Sequence, residues 1–391
     1  MRMITRLHLG RLVRHALVVI GLAAGAAQAA QPAFETAAPV AFLMDYDSGT
    51  VLFEKNPDQP TPPASMAKLM TLEVLFHEIK EGRVRLDSEF AVSENAWRRG
   101  GAMSDGSTMY LPLNSRVRVE DLIQGIAIQS GNDACIVVAE NLAGTELNFA
   151  EMMNKRAKEI GLTKSHFMNA TGLPDPDQRV TVRDLAIMAA HLIRAYPEYY
   201  HYFSEPEFTW NKIRQHNRNP LLGMGIGADG LKTGYTKESG YGLVGSAVRG
   251  DQRLIVAINH TKSVKERGEE ARKLLEWGFR AFQQSVLFQA GQTVAEAKLF
   301  GGQQSTVPLV GAGPIKVLLP RGGTTDFRAK AVYRGPVPAP VQKGDRIGML
   351  QVTNAGTVVL ETPLYAGESV GRGSLPRRAW DAVAEMVMSR F

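Results

Sequence analysis

Helical periodicity stops near Ser285. Upstream, apolar residues recur at helical spacing over about Phe149–Glu159 and Val182–Arg194, and from Val119 to Ala143 with a break at Ser130-Gly131-Asn132. From Ser285 to about Gly371 that spacing is gone. Short alternating runs such as "IKVLLP", "FRAKAVY", "RIGMLQV" and "TVVLETPLY" stand between turns rich in Gly and Pro. A change of period this complete marks a domain boundary, and 391 residues leave room for more than one domain. The expected organisation is a mixed domain over 30–284 and a small all-β domain over 285–372. The second stretch gathers no cluster of reactive side chains, so it reads as a spacer or an interaction module.

The mixed domain begins with "AAPVAFLMDYDSGTVLFEKNPDQ", two strands joined by an Asp-Ser-Gly turn. It closes with "GLKTGYT", "YGLVGSAV" and "RLIVAINH", three short β-rich runs split by Gly and charged turns, and then a helix over about Arg267–Phe282. Strands at both ends with helices between predict an α+β domain, an antiparallel sheet flanked by helices.

The formal charge of +6 hints at a nucleic-acid partner, but four of those charges are Arg2, Arg6, Arg11 and Arg14. They precede the apolar run "ALVVIGLAAGAA" and the small-x-small triplet Ala27-Gln28-Ala29, the pattern of an export signal over 1–29. Without it the charge is +2, too small for an electrostatic nucleic-acid binder. The single cysteine, Cys135, precludes an intrachain disulfide and sits in the apolar run "NDACIVVAE", where a small packed thiol is expected.

"PPASMAKLMTLEVLF" places Ser65 three residues ahead of Lys68 at the start of an apolar helix. Positions i and i+3 share a helix face, so the lysine amine reaches the serine hydroxyl. A serine is a poor nucleophile until a base takes its proton. A lysine is that base only when burial or a neighbouring cation keeps it neutral. Taken alone, a capping serine beside a solvent-facing lysine is the commoner meaning of this pair.

Two further groups shift the balance. "QSGNDAC" offers Ser130, a hydroxyl able to relay protons, and Asn132, an amide able to hold a carbonyl or orient the lysine. "GLKTGYT" places Lys232, Thr233 and Gly234 on a strand. The cation and hydroxyl suit a carboxylate, and the glycine permits close approach of a ligand. Lys232 is also the expected second cation that helps keep Lys68 neutral. Other patterns fail in context. Ser93-Glu94-Asn95 reads as a cap or turn, and "GIGADG" leads into a strand where a dinucleotide fingerprint leads into a helix. His77-Glu78 lacks a second histidine four residues on, and no G-x-S-x-G elbow exists.

Ser-x-x-Lys, Ser-x-Asn and Lys-Thr-Gly in this order resemble the signature of penicillin-binding proteins and serine β-lactamases. "SGNDAC", "NATGLPD", "LKTGYT" and "LLEWGFRAF" resemble the low-molecular-mass D-alanyl-D-alanine carboxypeptidases from about Ala37 to the C-terminus. The resemblance implies a β-lactamase/transpeptidase-like α+β domain. It implies a peptidoglycan stem peptide ending in D-Ala-D-Ala as substrate, β-lactams as acylating inhibitors, and no metal or organic cofactor. It implies Ser65 as nucleophile, Lys68 as base and Ser130 as proton relay. Asn132 would hold the substrate's peptide carbonyl, and the N–H groups of Ser65 and of a residue near Tyr235 the oxyanion. Lys232, Thr233 and, by position, Arg267 would face the terminal carboxylate. Many members carry a histidine where this chain has Tyr235. The Glu-x-x-x-Asn element of class A β-lactamases is missing from "SHFMNATGLPDPDQRVTVRD".

The last stretch, "SLPRRAWDAVAEMVMSRF", puts Trp380, Val383, Ala384, Val387, Met388 and Phe391 on one helical stripe, with Arg377, Arg378, Asp381, Glu385 and Arg390 mainly off it. It is too short and too charged to span a bilayer. The expectation is an amphipathic helix over 373–391 lying on the periplasmic face of the inner membrane, its lipid contact made through 375–391.

Overall fold

The computed structural model describes residues 20–21, 34–321, 326–354 and 356–388. The export-signal residues 1–19 and 22–29, and Ser389 to Phe391, lie outside them. The chain forms two compact units, one of residues 32–281 and one built mainly of residues 282–391.

In the first unit a five-stranded antiparallel sheet joins the two ends of the segment. Strands β1 (Val40–Asp45) and β2 (Val51–Lys55) come first in the chain. Strands β3 (Ala228–Thr236), β4 (Gly240–Arg249) and β5 (Gln252–Thr261) come last. The spatial order is β2-β1-β5-β4-β3, which leaves β3 at an edge. Glycine at 240 and 250 allows the left-handed turns between the last three strands.

Between these strands lie α1 (Lys68–Lys80), α2 (Glu94–Gly100), α3 (Val119–Gln124), α4 (Asn132–Ala143), α5 (Glu146–Glu159) and α6 (Val182–Ala195). Helix α7 (Val264–Ala281) follows the sheet. Thr145 and Thr181 cap α5 and α6 by accepting from backbone N–H groups, and Ser93 caps α2 in the same way.

Every residue of α1 from Lys68 to Phe76 is buried. A helix apolar nearly all round belongs inside a core, and α1 packs against α4, α5 and α6. Leu69, Met70, Leu72, Val74 and Leu75 are fully enclosed, each worth about 1.5–3 kcal/mol on burial. Leu72→Ala is expected to cost about 2–5 kcal/mol. Glu73, also enclosed, is answered by the Arg156 guanidinium at 2.6 Å and the Tyr196 hydroxyl at 3.1 Å, which fixes the depth and rotation of α1.

In the second unit, β6 (Phe282–Phe288) pairs with β9 (Ile315–Pro320). Strands β7 (Ala295–Phe300), β8 (Thr306–Val310), β10 (Phe327–Tyr333), β11 (Arg346–Asn354) and β12 (Thr357–Ala366) form a sheet in the order β10-β11-β12-β8-β7. Alternate residues such as Ala297, Leu299, Val307, Leu309, Leu350 and Val352 form its core. Helix α8 (Leu375–Met388) ends the described chain.

Candidate active site

Ser65 does not start an α-helix. It lies in a 3-10 turn, Ala64–Ala67, that runs into α1, and its hydroxyl makes no cap bond there. The turn opens with Ala64 at φ 47°, a left-handed conformation unusual for a residue with a Cβ. The hydroxyl is thereby free of the capping role that serine usually takes at such a place.

Lys68 is enclosed, and its Nζ lies 3.0 Å from Ser65 Oγ, 2.8 Å from Asn132 Oδ1 and 2.7 Å from Thr171 O. Burial lowers its pKa from 10.5 to about 8, and the Arg218 guanidinium adds to the effect. Loss of hydration is thus the main cause, ahead of any neighbouring cation. Lys232 is itself held well below its ordinary value, by burial first and by Lys68 and Arg218 after it.

The Thr171 carbonyl is delivered by "NATG". Asn169 Oδ1 accepts from Thr171 N, Thr171 Oγ1 and Gly172 N, folding a tight turn. Gly172 sits at φ +81°, and a Cβ there would fall 1.8 Å from Ala64 O. Only glycine lets this turn close on the serine turn.

Ser130 follows α3 and a π-helical stretch, Gly125–Gln129, and takes the left-handed conformation, φ 69° and ψ 32°. Its Oγ is buried and makes no hydrogen bond. Strain and an unsatisfied buried hydroxyl both cost free energy, and nothing in the local packing repays it. Asn132 opens α4. Its Oδ1 orients Lys68, and its Nδ2 lies towards Gly106, where a Cβ would be only 2.4 Å away. The enclosed Asp133 carboxylate accepts from Met109 N, Leu111 N and the Thr108 hydroxyl, which binds the loop after α2 to the start of α4.

Strand β3 presents Thr233, Gly234 and Tyr235 to a cleft of about 750 Å³ that Ser65, Ser130 and Asn132 also line. Lys232 lies behind this surface, with only a 3.4 Å contact to Thr233 O. Gly234 was expected to admit a ligand. Its closest need is within the fold: a Cβ would lie 3.0 Å from Pro63 O and 3.1 Å from Ala64 Cβ, so glycine lets the edge strand approach the serine turn. Tyr235 is half exposed and stacks on Tyr241 with ring centroids 4.2 Å apart.

Arg267 is 5% exposed and lines the cleft from the first turns of α7. A cation there opposes the helix dipole, so local helix energetics do not account for it. Its Nη1 donates to Gly234 O at 3.3 Å, its guanidinium faces the Tyr241 ring, and its Nε has no partner. Burial lowers its pKa to about 10. Arg218 also lines the cleft and donates to Ser107 Oγ at 2.6 Å. "NRNPLL" carries no spacing that marks this arginine.

Cys135, next to this site on α4, is fully enclosed, and burial pushes its thiol up to about 12. It is a packing residue.

Residues 26–262 match the family described as D-alanyl-D-alanine carboxypeptidase, peptidase S11. Residues 282–372 match the C-terminal domain of penicillin-binding protein 5. The chain is 40% identical over 345 residues to the D-alanyl-D-alanine carboxypeptidase DacC of Escherichia coli, covering 87% of this chain and 86% of that one. It is 37% identical over 352 residues to DacA of Haemophilus influenzae, covering 89% of each. Among solved structures, penicillin-binding protein 5 of Haemophilus influenzae superposes with a TM-score of 0.78 at 37% identity, over 88% of this chain and all of that one. A serine and a buried lysine in contact, an edge strand carrying Lys-Thr-Gly beside them and matches over nearly the whole length have one meaning: this chain belongs to the D-alanyl-D-alanine carboxypeptidase family of serine peptidases.

Proposed function

We propose that this enzyme removes the terminal D-alanine from peptidoglycan stem peptides through an acyl-enzyme on Ser65, and that β-lactams acylate the same oxygen. One observation carries the reading. Two of the three partners of Lys68 Nζ are carbonyl oxygens, which only accept. A neutral amine keeps two hydrogens for them, and its lone pair is left for the Ser65 hydroxyl. Lys68 then takes the serine proton as Oγ bonds to the carbonyl carbon of the penultimate D-alanine.

The backbone N–H groups of Ser65 and Tyr235 hold the oxyanion. As the peptide C–N bond breaks, the leaving nitrogen takes a proton through Ser130, whose hydroxyl is otherwise unpartnered. Water then attacks the ester and gives its proton to Lys68, which passes a proton to Ser65 Oγ as the ester C–O bond breaks, restoring the serine hydroxyl and the free amine. Asn132 Nδ2 holds the preceding peptide carbonyl. Thr233 and Arg267 hold the terminal carboxylate, with the buried Lys232 amine behind them. Incubation with diacetyl-Lys-D-Ala-D-Ala tests the reading: free D-alanine is expected, and its absence overturns it.

The basic, then apolar N-terminus supports export by a signal cleaved after Ala29. Helix α8 supports a peripheral anchor on the periplasmic face of the inner membrane, since Leu375 and Trp380 are about three-quarters exposed. The stripe's last member, Phe391, and Arg390 lie outside the described residues. No helix among the described residues is long and apolar enough to cross a membrane.

A further inference from the structure

We propose that the cleft contains an amine-recognising subsite at Asp105, which favours peptides carrying a side-chain ammonium on the residue before D-Ala-D-Ala. The inference rests on the carboxypeptidase reading above.

Charge is distributed unevenly around the cleft. Arg218 and Arg267 line it, and Lys68 and Lys232 lie just behind its wall. Among the described residues that line it, Asp105 is the one carboxylate. It is exposed, on the loop after α2. Arg218, the cleft-lining arginine in contact with this loop, is engaged with Ser107 Oγ at 2.6 Å. Among the described residues no ion pair is formed with Asp105.

The loop's position is fixed. Asn132 N donates to Ser107 O at 2.7 Å, and Gly106 lies against the Asn132 amide. Asp105 is therefore held on the Asn132 side of the cleft. With the scissile carbonyl at Ser65 and the preceding carbonyl at Asn132, an extended peptide advances about 3.3 Å per residue. The side chain of the next residue then emerges beside this loop, within the reach of a lysine-length stem. Carboxylate at one end and ammonium at the other match the cations and the carboxylate of the cleft. An exposed ion pair of this kind shifts affinity about two- to fivefold.

The test compares kcat/KM for Nα-acetyl-Lys-D-Ala-D-Ala, whose ε-ammonium is free, with that for the diacetylated peptide. In the wild type at low ionic strength the free amine is expected to be preferred about two- to fivefold, and added salt should shrink the ratio. Asp105→Glu should keep the preference, Asp105→Asn should bring the ratio close to one, and Asp105→Lys should take it below one. Penicillin acylation of each variant checks its fold. A ratio of one in the wild type, or a preference that survives in both Asp105→Asn and Asp105→Lys, overturns the subsite and leaves the carboxypeptidase reading standing. If neither peptide releases D-alanine from the wild type, both fall.

Discussion

Lys68 Nζ stands 3.0 Å from Ser65 Oγ, and this is the only one of its three contacts that can reverse direction. The carbonyl oxygens of Asn132 and Thr171 accept whatever the protonation state. Deprotonation therefore changes only the contact with the serine, from one in which nitrogen donates to one in which it accepts.

That reversal should appear in the pH dependence. With Lys68 as the proposed base the active form is the free amine, and a pKa of about 8 leaves roughly one tenth of the enzyme in that form at pH 7. Penicillin acylation should rise about tenfold per pH unit below 7 and level off above about 8. The limb belongs to the coupled lysines together. Stopped-flow acylation rates from pH 5.5 to 9.5 check this, and a rate that falls as pH rises to 8 contradicts it. Stability carries the same sign: folding lowers this pKa, so the contribution of Lys68 to stability improves as pH rises from about 8 to 10.5.

Gly172→Ala should disable the base without touching it. The new methyl would meet the backbone oxygen of Ala64, and neither chain segment is a flexible side chain. A loss of about 2–4 kcal/mol in stability is expected from the left-handed φ and the overlap together. Acylation should fall at least a hundredfold as Thr171 O leaves Lys68. Thermal denaturation and acylation rates measure both. A variant with wild-type rates contradicts the placement of this turn.

Arg267→Ala should lower kcat/KM for a D-Ala-D-Ala peptide by about 10- to 100-fold, the worth of a charge-assisted contact to a carboxylate. Arg267→Lys should recover only part of it, because the fork that spans Gly234 O and the cleft is lost. The same peptide with an amidated C-terminus should be hydrolysed slowly and equally by both variants and the wild type. If the amide distinguishes them as strongly as the acid does, Arg267 does not face the carboxylate.

Deleting Leu375–Phe391 should release the exported enzyme into the soluble fraction with penicillin binding intact. The helix is attached to the β unit near its middle, where Gly301 N donates to Asp381 Oδ2 at 2.8 Å. Losing that bond should cost about 0.5–1.5 kcal/mol in the β unit and leave the cleft unaffected. Retention on the membrane, or global unfolding, contradicts the anchor reading.

The change from helical to alternating spacing near Ser285 was legible because each period belongs to a different way of burying apolar surface. The three motifs were legible because each is a pattern of particular side chains at a particular spacing, and the fold brings Ser65, Ser130, Asn132, Thr233 and Gly234 to one cleft. Thr171 was not, because what it supplies is a backbone oxygen, which every residue has. Arg218 was not, because a lone arginine in a turn has no pattern. Gly234 was legible as a point of close approach, but the approaching group is the Ser65 turn itself. Burial, which sequence shows only indirectly, sets the protonation of Lys68 more than the second lysine does.

Ser65→Ala and Lys68→Ala should each lose nearly all acylation, and the double variant should lose little more, since the two act as one unit. Near-wild-type acylation by Lys68→Ala removes it as the base.

The central claim is that Ser65 is the oxygen acylated when Lys68 takes its proton. Mass-spectrometric peptide mapping of the protein after incubation with benzylpenicillin tests it most directly. The account predicts one penicilloyl group per chain, on the peptide containing Ser65. A label on Ser130 or any other residue, or no label at all, contradicts it.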